Sequence, residues 1–174
     1  HRYHYSVMEA KRIIDSGEMG KLLWLRGVYG KAGSIDYDKN WRNYKKYSGG
    51  GILIDQGIHM LDLIRFFSNE KFNKINSYIT TAYWNIKVED NAFILMQSDN
   101  KIIASLHSSA TQWRHKFLLE MCFEEGYLNL ELSFFNFVIN LTSLKQAHLL
   151  ENSISSLSFF KMVIDSNIST VSLN

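Results

Sequence analysis

Between residues 74 and 142 the chain repeats one pattern: six segments in which apolar and polar residues alternate, each parted from the next by a few residues. The segments are 74–84, 91–97, 101–112, 116–124, 127–132 and 136–142. Parallel neighbours need a crossover of about a dozen residues or more, so connections this short make successive strands antiparallel. Ser98-Asp99-Asn100 and Glu124-Glu125-Gly126 supply suitable hairpin chemistry. Helical periodicity flanks the block on both sides. Ser6 with Glu9 reads as a capping box, Val7, Ala10, Ile13 and Ile14 as an apolar stripe, and Gly17 as a left-handed stop. Residues 22–29 read as a further strand, 52–67 as a second helix after Gly49-Gly50-Gly51, and 155–166 as a third. Together these predict an α+β fold: an open, mainly antiparallel β-sheet with helices packed on one face.

Composition bounds what such a sheet belongs to. The 174 residues suit one domain spanning 1–174, and 46% apolar against 21% charged residues is enough for a packed core. A net charge of +2 gives no reason to expect nucleic acid as a partner. No apolar run approaches the ~20 residues of a bilayer-spanning helix, so no membrane partner is expected. With Cys122 as the one cysteine, an intramolecular disulfide is excluded; the expected location is cytoplasmic, and the thiol reads as buried and inert. The chain has no proline and opens on His1-Arg2-Tyr3-His4, with no apolar stretch of a signal peptide behind it. The expectation is a piece of a longer protein.

The chemistry concentrates on the second helix. At ~100° per residue, Asp55, His59 and Asp62 form one polar stripe on an otherwise apolar helix. A carboxylate one turn from an imidazole can orient it and raise its basicity, which makes a general base for neutral pH. By spacing alone such a pair is more often a surface helix contact than a catalytic dyad, and two ligands without a third make a weak metal site; no metal is expected. The three glycines ahead of the helix leave its first amides free for an anion or polar group, or serve a tight turn. The polar loop 30–50 holds Trp41, Arg42, Lys45, Lys46, Tyr37, Tyr44 and Tyr47. Its lysines read as a solvated face, and its tyrosines as candidates to stack on a ring. Trp113 reads as a core or interface aromatic, His107 as a polar group on or beside a sheet strand, and Phe134, Phe135, Phe137 and Val138 as an apolar cluster.

Trp41-Arg42, followed by Ser48-Gly-Gly-Gly-Ile-Leu-Ile-Asp55-Gln-Gly-Ile-His59-Met-Leu-Asp62, resembles the C-terminal domain signature of the glucose–fructose oxidoreductase / inositol dehydrogenase (Gfo/Idh/MocA) family. Ser16-Gly17-Glu18-Met19-Gly20, Glu89-Asp90-Asn91 and His107–Trp113 resemble family segments in the same order. The resemblance implies a dihydrodipicolinate-reductase-like C-terminal domain of an enzyme that uses NAD or NADP on a CH–OH group of a carbohydrate-like small molecule. It implies His59 as general base, Asp55 as its support and a substrate contact, and Trp41 and Arg42 as contacts to the cofactor. A homodimer or tetramer through the sheet is expected. The family's Gly-x-Gly-x-x-Gly unit and its Glu-Lys-Pro lysine are missing from the sequence, as is its returning C-terminal helix. The expectation is therefore a substrate domain without its N-terminal Rossmann domain, inactive alone. The other reading is a non-catalytic dimerisation or carbohydrate-binding module that keeps the fold.

Overall fold

The computed structural model of the chain describes residues 1–133 and 136–143. Helix α1 (Tyr5–Asp15) leads into strand β1 (Leu22–Ala32). Two single turns, Tyr37–Lys39 and Trp41–Asn43, and the short α2 (Lys45–Ser48) follow. A widened turn (Leu53–Gly57) then opens α3 (Ile58–Ser68). The rest is strand: β2 (Phe72–Thr80), β3 (Asn91–Ser98), β4 (Ile103–Gln112), β5 (Lys116–Phe123), β6 (Gly126–Ser133) and β7 (Asn136–Ser143). The described strands form one seven-stranded sheet in the order β2-β3-β4-β1-β5-β6-β7.

The pairings are antiparallel except one. β1 lies between β4 and β5, parallel to the first and antiparallel to the second. The hairpins expected at 98–100 and 124–126 form. The expected pairing of β4 with β5 does not, because their three-residue link crosses the end of β1, which fills the slot between them. The sheet is thus open and mainly antiparallel, as the pattern implies.

Alternation along the strands gives the sheet two different faces. Leu25, Ala104, Leu106, Leu119, Met121, Leu128 and Leu130 point to one, where Val7 and Ala10 of α1 and Met60, Leu63, Ile64 and Phe67 of α3 bury them. Tyr78, Phe93, Leu95 and Ile103 lie exposed on the other, with no described helix over them. There the Arg26 guanidinium bonds the Glu120 carboxylate and holds its pKa below the usual range. Burial first, and Glu120 second, push the Tyr127 phenol up to about 12.

Several local expectations change. α1 is capped by His4, whose Nδ1 accepts the Ser6 amide at 3.3 Å, while Glu9 pairs with Arg12 instead of closing a capping box. Gly17 does take the left-handed stop, at φ 78°. β2 ends at Thr80, four residues short of the expected 84. The buried Asp90 carboxylate accepts the amides of Ala82, Tyr83 and Trp84 at 2.8–3.0 Å and turns the chain there. Cys122 is half-buried on the uncovered face of the sheet. Residues 155–166, Phe134 and Phe135 lie outside the described residues.

Candidate active site

The glycine run and the segment Glu89-Asp90 build the site's floor together. Glu89 Oε1 accepts the amides of Gly51 at 2.9 Å and Leu53 at 3.2 Å, and the Glu89 carbonyl accepts that of Ile52. The N–H groups that a free anion would meet are therefore taken by a carboxylate of this chain. A Cβ at Gly51 would lie 2.1 Å from the Glu89 carbonyl oxygen, so only glycine admits this approach.

The following turn departs from regular helix. The Ile58 amide reaches back five residues to the Leu53 carbonyl, a π-type turn over Leu53–Gly57. The extra residue rotates Asp55 off the stripe that a regular helix would share with His59. Asp55 instead accepts a bond from the Lys31 ammonium, at the end of β1, and lies 3.3 Å from Arg42 Nε. Lys31 and Asp55 are 18% and 22% exposed, and the Lys31 ammonium lies 5.5 Å over the Tyr37 ring. The described partners of Asp55 are thus two cations, and His59 is not among them.

His59 is exposed and stacks on His1 at 4.5 Å, with the Tyr29 ring 6.4 Å away. Its carboxylate neighbour is Asp62. Arg2 grips Asp62 through Nε at 2.7 Å and, as the largest cause, holds its pKa below the usual range, with His59 a lesser contributor. His59 and Asp62 line a groove of about 660 Å³ that continues over Ile58, Ile75, Ile94 and Met96. Tyr29 and Lys31 stand two residues apart on β1, and thus ~7 Å along the strand. Asp55 at the second and His59 beside the first are therefore neighbours through β1. Burial and, after it, the charge of Asp55 push the Tyr29 phenol up.

Arg42 stacks on the exposed Trp41 ring at 4.6 Å, and its backbone amide donates to Asn40. Of the expected ring-stacking tyrosines, Tyr37 is buried under Lys31, while Tyr44 and Tyr47 are exposed. Trp113 is in no core: its side chain is 99% exposed. His107 stacks on Phe93 at 3.9 Å and bonds Asn91, on the uncovered face; burial and then Lys116 lower its pKa. Lys31 and Arg2 were not among the expected site residues, since neither stands near its partner in sequence. Among the described residues no three His, Cys, Asp or Glu side chains converge as metal ligands do. No described helix is long and apolar enough to cross a membrane.

Residues 7–129 match the model of the GFO/IDH/MocA C-terminal domain. The levoglucosan dehydrogenase of Pseudarthrobacter phenanthrenivorans is 33% identical over 78 residues, 44% of this chain and 20% of that protein. The aldose–aldose oxidoreductase of Caulobacter crescentus, solved with glycerol, superposes with a TM-score of 0.73 at 20% identity, over 82% of this chain and 43% of that one. A levoglucosan dehydrogenase solved with NADH and levoglucosan gives 0.67 at 19% identity, over 92% and 52%. The match thus spans a fifth of the curated relative and about half of each solved chain, and at these identities the structural likeness is one of fold.

Proposed function

The chain belongs to the GFO/IDH/MocA C-terminal domain family, and on that premise we propose that it is the substrate side of a nicotinamide-dependent oxidoreductase acting on a CH–OH group of a sugar, cyclitol or nucleotide sugar. One observation supports this above the rest: His59, exposed at a groove, lies beside Tyr29, and Asp55, held by two cations, meets Lys31 two residues further along β1. In this reading His59 takes the proton of the substrate hydroxyl as the carbinol carbon gives up its hydride, leaving a carbonyl. Lys31 and Arg42 keep the Asp55 carboxylate fixed, and its remaining lone pairs accept a neighbouring hydroxyl of the substrate. Arg2 fixes Asp62 beside His59 at the rim of the groove.

A bound nicotinamide supplies the hydride acceptor. The residues present fit one edge of such a group: Arg42, a planar cation half exposed over Trp41, can donate to it. No Gly-x-Gly-x-x-Gly loop occurs in the 174 residues, so the dinucleotide would be held mainly by residues outside them. Residues 1–174 then act as one substrate and oligomerisation domain, and a second copy covers the apolar sheet face through Tyr78, Phe93, Leu95 and Ile103.

The test assays Asp55→Asn in the enzyme that carries this domain, with NAD and NADP and a panel of sugars and cyclitols. Loss of carbonyl formation with the fold retained is expected. Full activity of Asp55→Asn on each accepted substrate would remove the site. The isolated chain, titrated calorimetrically with NADH, is expected to bind no tighter than about millimolar.

A further inference from the structure

Beyond the groove at His59, a second cavity of about 420 Å³ opens where the ends of β1 and β4 meet the loop after β2. Of its aromatic walls, Trp84 packs on the small core of Tyr37, Ile52 and Ala110, while Tyr83 and Trp113 are exposed. Trp84 is rigid: its Nε1 donates to the Ala110 carbonyl at 2.8 Å, its ring packs on Tyr37 at 4.6 Å, and it lies so close over Gly33 that a Cβ there would sit 1.8 Å from the indole. Tyr83, 75% exposed, meets it edge-on at 4.9 Å. Trp113, on the link that crosses the end of β1, presents its whole indole to solvent at the mouth. Ser34 and Gln112 line the cavity as well, as does Thr111, whose hydroxyl is bonded to Asn91 and Ser109.

The geometry points to a subsite for a neutral sugar or cyclitol ring, whose C–H face would lie on an indole while its hydroxyls meet Ser34 and Gln112. Three features select this occupant. The cavity lies within the ~300–1,000 Å³ of small-molecule sites. No Asp, Glu, Lys or Arg lines it, so nothing there would compensate a charged ligand. Rigid aromatic faces beside uncharged hydrogen-bonding groups suit a ring apolar on its faces and polar at its rim. Tyr37 joins this cavity to the proposed site, because it touches Trp84 on one side and lies under Lys31 on the other. The inference rests on the carbohydrate reading above and adds to it a second ring position, separate from the reacting one.

The experiment titrates the chain with glucose, levoglucosan and myo-inositol, following tryptophan fluorescence and ring-proton saturation transfer, for wild type, Trp113→Ala, Gln112→Ala and His59→Ala. Exposed Trp113 can be removed without touching the core. Saturable binding of at least one probe is expected, weakened about tenfold or more by Trp113→Ala, less by Gln112→Ala and not by His59→Ala. Binding lost in His59→Ala but kept in Trp113→Ala would overturn the subsite and leave the proposed function standing. No saturable response from any probe would overturn the subsite. So would sedimentation showing that Trp113→Ala dissociates an oligomer while sugar binding is unchanged, since Trp113 would then be a contact between copies.

Discussion

Lys31 is the residue on which the proposed site turns. It neutralises Asp55 from a strand 24 positions earlier, in surroundings that leave both groups mostly buried. Removing one partner of such a pair strands the other, although Arg42 remains to share the load. Lys31→Met is expected to cost about 1–2 kcal/mol, or ~2–8 °C in Tm for a domain of this size, with Lys31→Arg restoring most of it; calorimetric melting of the three proteins decides. Gly51→Ala is expected to be worse, at about 1–3 kcal/mol or more, because its methyl meets backbone at Glu89. Asp55 and His59 were legible in the sequence as chemistry. Their partners were not, since a contact between a strand end and a helix start has no period to betray it. The assumed regular helix also hid the π turn that separates the two.

At the level of elements, alternation was the reliable signal, and it failed where a side chain outside the strand set the boundary. Residues 81–84 continue the pattern of β2, yet Asp90 takes three of the loop's amides and ends the strand at Thr80. Burial pushes the Asp90 carboxyl up, but those three N–H groups and the Asn91 amide pull it down further, to below its ordinary value. A carboxyl lowered on folding stabilises above its unfolded pKa, ~3.9, and loses that contribution as pH falls through the folded value. Asp90→Asn should therefore unfold at lower urea than wild type near neutrality, by about 1–3 kcal/mol, with the gap narrowing below about pH 4. A gap independent of pH would contradict the role. The slot of β1 was illegible for a different reason: three residues joining β4 to β5 look like a hairpin whether the strands touch or straddle a third.

At the scale of the sheet, one face is covered by α1 and α3, and no described helix covers the other, where Tyr78, Phe93, Leu95 and Ile103 lie exposed to one side of the Arg26–Glu120 pair. Placing a charge there, as in Phe93→Glu, is expected to turn an oligomer into monomers by sedimentation without unfolding, and a monomeric wild type would contradict self-association through that face. The covered side is where Asp55, His59 and Asp62 gather, at the start and along the exposed flank of α3. The central claim is that His59 receives the hydroxyl proton. Its most direct test is the pH dependence of kcat/KM for CH–OH oxidation by the enzyme carrying this domain, in wild type and His59→Ala. The account predicts turnover lower by ~10²–10⁴ and loss of the ionisation that the base imprints on the profile. An unchanged pH–rate profile in His59→Ala would contradict it.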